Sequence, residues 1–299
     1  MKRKSKIKRT RTEVAFDSIN LIFLVGFALI TAYPLWFCLV NSFNDGLDAM
    51  KGGIYLWPRI FSLENYKVVF QDGSIMRAMG VSILRVLIGT PLHILITALA
   101  AYALSKSNLI GKKLYMVLGT VTMFFSGGLI PTFLNIRNLG LYDSFWVFIL
   151  PSIFSFYDCL IFISFFKGLP NGLEEAAMID GAGAFCIFFR IVLPLSMPVV
   201  ATIALFSAVG HWNDYFSGVI YIRSDELIPI QTYLYRVIAQ SGGAGMIERA
   251  RMGVAGGTTV LTQSLRYATM VVSILPIICT YPFLQKYFVK GITLGAVKG

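Results

Sequence analysis

The chain has 299 residues, 56% hydrophobic and 14% charged, with a mean hydropathy of +0.71 and a net charge of +11. A soluble domain usually carries about 25% charged residues, so an ordinary soluble enzyme or binding module is excluded. The apolar excess falls in blocks of about 20 residues, enough to cross a hydrocarbon core of roughly 30 Å as helix. The basic residues crowd the ends of those blocks, which fits a membrane protein and not a nucleic-acid binder.

In chain order, the run Lys2-Arg3-Lys4, Lys6, Lys8, Arg9 and Arg11 reads as a cytoplasmic anchor on anionic headgroups. Six spans follow, at about Asp17–Val40, Met76–Leu104, Leu114–Leu134, Ser144–Phe166, Leu195–Tyr221 and Leu265–Leu284. Each is expected to be helical, because hydrocarbon offers no other partner to the backbone. The first reads as a retained signal anchor, since no small-residue cleavage site follows it. The expected fold is therefore an all-α polytopic bundle: a basic terminus at 1–16, one membrane domain at 17–284 and a tail at 285–299.

Orientation follows from the loops. Lys106, Lys112, Lys113, Lys167, Arg190, Lys286, Lys290 and Lys298 fall on one side with the basic N-terminus, whereas segments 41–75 and 222–263 mix signs. The bias places both termini in the cytoplasm. In the first outer segment, Tyr55 and Trp57-Pro58 suit the headgroup belt. In the second, Ile228–Gln240 can form an amphipathic helix ahead of Gly242-Gly243 and Gly256-Gly257. Gly127-Gly128 with Pro131 is expected to weaken or kink the outer end of the third span.

Ionisable residues inside spans are costly and so are functional candidates. The fifth span carries His211-Trp212-Asn213-Asp214-Tyr215, and Arg85 of the second span lies at comparable depth, so an Arg85–Asp214 ion pair is expected. These groups either line a water-filled pathway, with Trp212 and Tyr215 stacking on the cargo, or lock helices together. His93 and Asp158 can pair deeper in the bundle and read as helix contacts. Phe145, Phe148, Phe154, Phe156, Phe162, Phe165 and Phe166 of the fourth span read as lipid-facing or packing residues.

Cys38, Cys159, Cys186 and Cys279 are far apart, with no C-x-x-C, and are expected as buried free thiols, not metal ligands or disulfides. No G-x-x-x-x-G-K-[ST] occurs, so any ATP must bind another polypeptide. No cluster of nucleophile, base or metal ligands points to an enzyme.

One hydrophilic stretch stands out between two apolar spans: Glu174-Glu175-Ala176-Ala177-Met178-Ile179-Asp180-Gly181, nine residues, then Ile191-Val192-Leu193-Pro194. Asn171 followed by Glu174 has capping-box spacing for a helix over about Gly172 to Ile179, and Gly181 suits its C-terminal end. Ala176, Ala177, Ala182 and Ala184 leave a surface on which another backbone can come close. A helix this short is marginal unless a partner completes it.

The spacing EAA-x3-G-x9-I-x-LP resembles the cytoplasmic coupling loop of permease subunits of ABC importers. Gly128-Leu129-Ile130-Pro131-Thr132, Leu139-Gly140-Leu141 and the tail from Tyr281-Pro282-Phe283 to Gly291 are similar to carbohydrate-importer permeases, above all the second permease subunit of maltose-type systems serving complex oligosaccharides. The resemblance implies that Glu174, Glu175, Ala176, Ala177, Asp180, Gly181, Leu193 and Pro194 contact an ATPase subunit, and that Lys290–Gly299 approaches it too. It further implies a second permease subunit, two cytosolic ATPase subunits that use ATP and Mg²⁺, an extracytoplasmic solute-binding protein, an oligosaccharide cargo and membrane lipid. This chain itself then binds no cofactor. The alternatives are a permease for a non-sugar solute and an ion-coupled secondary transporter using Asp158 or Asp214.

Overall fold

The structure is a computed structural model that describes residues 10–49, 51–71, 73–241 and 266–280. The basic run up to Arg9, the glycine pairs beyond Ser241 and the tail from Tyr281 lie outside the described residues. The described residues contain no β-strand, only an isolated bridge between Asn44 and Phe61. The chain divides into two compact units, residues 1–69 with 243–271 and residues 70–242 with 272–299.

In the first unit, α1 (Arg11–Ser42) starts at a reciprocal capping box. The Glu13 N–H donates to the Thr10 hydroxyl at 3.3 Å, and the Thr10 N–H donates to the Glu13 carboxylate at 2.8 Å. Phe16, Ile22, Phe23 and Ile30 are exposed, and the most apolar window of α1 buries none of its residues. That surface suits lipid, where Leu and Phe need no protein cover. At its far end, Trp36 donates to the Leu56 carbonyl at 3.0 Å and meets Trp57 edge-on at 5.7 Å. The loop folds around Asp48, which is buried and paired with Arg59 at 3.2 Å. α2 (Glu64–Gln71) is fixed to this loop by Asn65, whose amide donates to the Ser42 and Asn44 carbonyls at 2.9 and 2.8 Å.

The second unit is built on α3 (Gly73–Ser105), an uninterrupted apolar helix long enough to cross a membrane. Three expected spans depart from straight helices. α4 (Lys112–Phe124) and α5 (Leu129–Asn138) meet at 115°, so the kink expected at Gly127-Gly128 is a bend of more than a right angle. Pro131 sits in the first turn of α5, where a missing N–H costs little. The fourth span is two short 3₁₀ turns, Phe145–Phe148 and Leu150–Ser152, followed at 48° by α6 (Phe156–Phe166). The fifth begins earlier than expected. After α7 (Asn171–Ile179) comes α8 (Ala184–Leu195), with a π-helical turn at Phe188–Val192, and then α9 (Met197–Asn213) at 82°. Pro194 and Pro198 flank that bend, and neither supplies the N–H a continuous helix needs. α10 (Phe216–Tyr221), α11 (Ile230–Ser241) and, from residue 272, the apolar α12 (Arg266–Thr280) complete the described residues of this unit.

α3 packs most extensively on α9 and α6. Phe162, Phe166, Phe188, Val192 and Ile203 form a core with Ala98 and Ala101 of α3. Phe148, Phe156, Phe162 and Phe166 are therefore packed inside, and lipid contact is not their role. Only Cys159 is a fully buried thiol, whereas Cys186 and Cys279 are exposed, contrary to the expectation for all four. Burial in apolar surroundings needs helix-by-helix packing that a hydropathy profile does not resolve.

Candidate functional site

One face of α3 gathers five ionisable groups of the second unit, Arg85, His93, Asp158, His211 and Asp214. Arg85 is buried and pairs with Asp214, the residue at which α9 ends. Its Nη1 also donates to the Asp214 carbonyl oxygen at 3.0 Å, and its guanidinium lies 4.6 Å from the Phe148 ring centre. Asp214 in turn accepts the Ser217 N–H at 3.1 Å, which opens α10. The pair thus satisfies a helix-end carbonyl that apolar surroundings would leave without a partner.

Two turns along α3, His93 has Nδ1 2.9 Å from the Ser152 carbonyl oxygen and Nε2 3.0 Å from Asp158 Oδ2. A carbonyl only accepts, so Nδ1 carries a proton. Nε2 faces a carboxylate, so the second contact needs one more proton, on the ring or on Asp158. The pair ties α3 to both sides of the bend in the fourth span.

Arg85, His93, Asp158, His211 and Asp214 surround a cavity of about 320 Å³ whose wall is completed by Ser152, Phe154, Ser155, Phe206, Ser207 and Gly210. This is near the small end of ligand pockets, roughly 300–1,000 Å³. His211 reaches it because Gly89 of α3 has no side chain; a Cβ there would lie 2.4 Å from His211 Nε2. The cavity can offer hydroxyl-bearing solutes donors from Arg85 and acceptors from the two carboxylates, with Phe154 and Phe206 as apolar walls.

The residues expected at a pathway separate. Arg85, His211 and Asp214 line the cavity; Trp212, Asn213 and Tyr215 do not. Trp212 is buried and donates to the Ser273 carbonyl at 3.2 Å, a contact with α12. Tyr215 is exposed and stacks on Tyr235 of α11 at 5.1 Å. The serines and Phe206 carry no distinctive spacing, and only the fold brings them together.

The acidic stretch forms α7 as expected, but Asn171 is its first residue and Pro170 its cap, with no side-chain capping bond. Glu174 is engaged elsewhere: it pairs with Lys106 and accepts the Tyr102 hydroxyl at 3.2 Å. The other end closes as a Schellman motif, the Gly181 N–H donating to Met178 at 3.0 Å and the Ala182 N–H to Ala177 at 2.9 Å. Gly181 has φ +82°, a region that a β-branched residue avoids. Glu175, Ala176 and Asp180 are exposed, and Ala177 is half-buried. Met178, Ile179 and Phe185 are exposed too, Ile179 to 86%, so the surface is more apolar than its alanines alone imply. Leu193 and Pro194 lie in α8, after the π-helical turn.

The family described as the inner membrane component of binding-protein-dependent transport systems matches residues 82–294. The polygalacturonan/rhamnogalacturonan transport system permease protein YtcP of Bacillus subtilis is 40% identical, over 95% of this chain and 98% of that protein. Protein LplC of the same organism is 38% identical over 97% of each. The fold matches, with a TM-score of 0.85 and 29% identity over 95% of this chain and 100% of the other, a chain of a bacterial ABC transporter involved in the import of the acidic polysaccharide alginate. The chain belongs to the family of inner-membrane components of binding-protein-dependent transport systems.

Proposed function

We propose that this chain is one permease subunit of an ABC importer that moves oligosaccharide across the cytoplasmic membrane by alternating access. Six spans put both termini on one side, and the Lys and Arg bias of the loops makes that side, which carries α7, cytoplasmic. The observation that carries the proposal is α7 itself: a short helix between two apolar segments, closed by Gly181 and presenting Glu175, Met178 and Ile179 to water. Exposed apolar residues beside a charge favour burial against a second protein. An ATPase subunit is the occupant; a second permease subunit and an extracytoplasmic solute-binding protein complete the assembly.

The mechanism follows from differential contact. ATP closes the two ATPase subunits, α7 moves with them, and the permease pair opens toward the solute-binding protein; hydrolysis resets it. The cycle requires α7 to hold the two ATPase states with different free energies, since equal contacts shift no equilibrium. The cavity at Arg85, His93, Asp158, His211 and Asp214 forms this chain's share of the pathway, its paired charges offering both donors and acceptors to sugar hydroxyls. An oligosaccharide cargo is supported by the names of the relatives, and a galacturonate oligomer is the natural first probe.

The test is uptake of labelled oligogalacturonide by cells with and without the gene. Uptake that needs both this chain and an ATPase subunit supports the proposal. Uptake that survives loss of the ATPase and collapses with the ion gradient would instead identify a secondary transporter.

A further inference from the structure

Glu174 does not face outward with its neighbour Glu175. Its side chain is 18% exposed and is held by two residues at the Ser105 end of α3. Lys106 pairs with the Glu174 carboxylate, the Tyr102 hydroxyl donates to the same oxygen at 3.2 Å, and the Lys106 ammonium lies 4.2 Å from the Tyr102 ring centre. Tyr102 lies in the last turn of α3 and Lys106 just beyond its end, which brings both to one partner. Lys112 holds this end of α3 as well, donating to the Lys106 carbonyl at 2.7 Å.

α7 has nine residues, too few to be stiff alone. Its C-terminal end rests on the core through Ala177 and Ala182. Just before its N-terminal end Leu169 packs on the same core, and the Glu174 contact adds a polar fastening to the end of α3. α3, by contrast, is continuous from Gly73 to Ser105 and carries Arg85 and His93 on its cavity-facing side. From Lys106 to Arg85 is about 30 Å along a helix at 1.5 Å per residue.

We propose that Glu174 is a positioning residue: through Lys106 and Tyr102 it fastens the coupling helix to α3, which carries the motion of the ATPase to the cavity. This rests on α7 being the ATPase handle, and it divides the two acidic residues, with Glu175 for the partner and Glu174 for this chain's own α3. Physical continuity alone does not establish coupling, so the test must read coupling directly.

The experiment uses the complete transporter reconstituted in proteoliposomes with its solute-binding protein, and measures sugar moved per ATP hydrolysed. Lys106→Glu and Glu174→Lys are each expected to lower that ratio about tenfold, within the range of measured couplings between sites, with the ATPase still bound. The charge-swapped double variant is expected to recover most of the loss, and Lys106→Arg to hold the ratio near normal. Should a reversal fail to insert, Glu174→Gln and Lys106→Gln remove the pair without a like-charge contact and are read the same way. Single variants with a normal ratio, or a swap no better than either single, overturn the proposal; so does loss of ATPase binding in Glu174→Lys, which would make Glu174 a direct contact. Gly181→Val in the same assay separates the two ideas: if it uncouples while the Glu174 and Lys106 variants do not, only the tether fails. If it too leaves the ratio unchanged, the handle itself is wrong.

Discussion

Arg85 of α3 and Asp214 at the end of α9 are joined twice, by an ion pair and by a 3.0 Å bond from Arg85 Nη1 to the Asp214 carbonyl oxygen. Arg85 has a side-chain exposure of 4%, against 26% for Asp214. Removing the carboxylate leaves a charge in an apolar surrounding, which typically costs 3–5 kcal/mol. Asp214 keeps some access to water, so Asp214→Asn is expected near the low end, about 3 kcal/mol. The double replacement Arg85→Met with Asp214→Leu should recover much of that stability while uptake is lost. Thermal unfolding in detergent, with uptake measured in parallel, checks both. Unchanged stability in Asp214→Asn would mean the pair is not held this way in the membrane.

Gly210 lines the cavity and has open space where a Cβ would stand. Gly210→Ala should therefore be tolerated, while Gly210→Leu should narrow the cavity and cut uptake at least about tenfold, the effect of roughly 1.4 kcal/mol on a binding step. ATPase assembly and basal hydrolysis should persist in both. Normal uptake by the leucine variant would move the pathway away from this cavity.

Gly89 tests the same wall from α3. A Cβ there would press on buried His211 at 2.4 Å. Gly89→Val is expected to destabilise the α3–α9 contact by about 1–3 kcal/mol, the usual effect of overpacking, read as a lower melting temperature. A stability equal to the parent would show that His211 has room to leave.

Asp143 offers a pH-dependent readout outside the spans. It sits at φ +55° and accepts the Ser224 hydroxyl at 2.6 Å and the N–H groups of Ser224 and Arg223 at 2.8 and 2.9 Å. Those bonds, the Ser224 hydroxyl first, hold its carboxyl below the ordinary range. A depressed carboxyl stabilises the loop above its unfolded value, and the effect is lost as pH falls through the folded one. Protection factors for hydrogen exchange at residues 222–228, referred to the intrinsic rate at each pH, should be high near neutral pH and fall under acid. Asp143→Ala should abolish that pH dependence, whereas Asp143→Asn, able to accept and to tolerate φ > 0, should keep part of the protection.

Long apolar runs made α1 and α3 legible, and the depth of Arg85 and Asp214 anticipated their pairing. The bends were not legible in the same way. Gly127-Gly128 marked a weak point, and Gly128 at φ +83° sits in the 115° turn, but the residue types alone do not give the angle. The helix begins one residue earlier than the Asn171 capping box implies, with Pro170 as its cap, and Glu174 is drawn to Lys106, a residue 68 positions away. Trp212 and Asp214 are two residues apart on one helix, yet one is tied to α12 and the other to Arg85. Spacing along a helix gives direction, and only the neighbours decide what waits there.

Replacing Gly181 by valine should uncouple hydrolysis from uptake. Valine at φ +82° is strained by about 1–3 kcal/mol, which either unwinds the last turn of α7 or reorients Ile179. Insertion into the membrane should be unaffected, because Gly181 is exposed and nothing packs where its Cβ would stand. A normal ratio of sugar to ATP in this variant would remove α7 from the coupling route.

The most direct measurement is a disulfide trap on α7. Ile179 is 86% exposed, and the exposed Cys186 and Cys279 must first become serine. Ile179→Cys in that background should cross-link, in sealed inverted vesicles, to a single cysteine placed in the groove of the ATPase subunit, with a yield that changes when ATP is bound. Labelling of the same cysteine from the extracellular side, or no cross-link to the ATPase in either nucleotide state, would contradict the account.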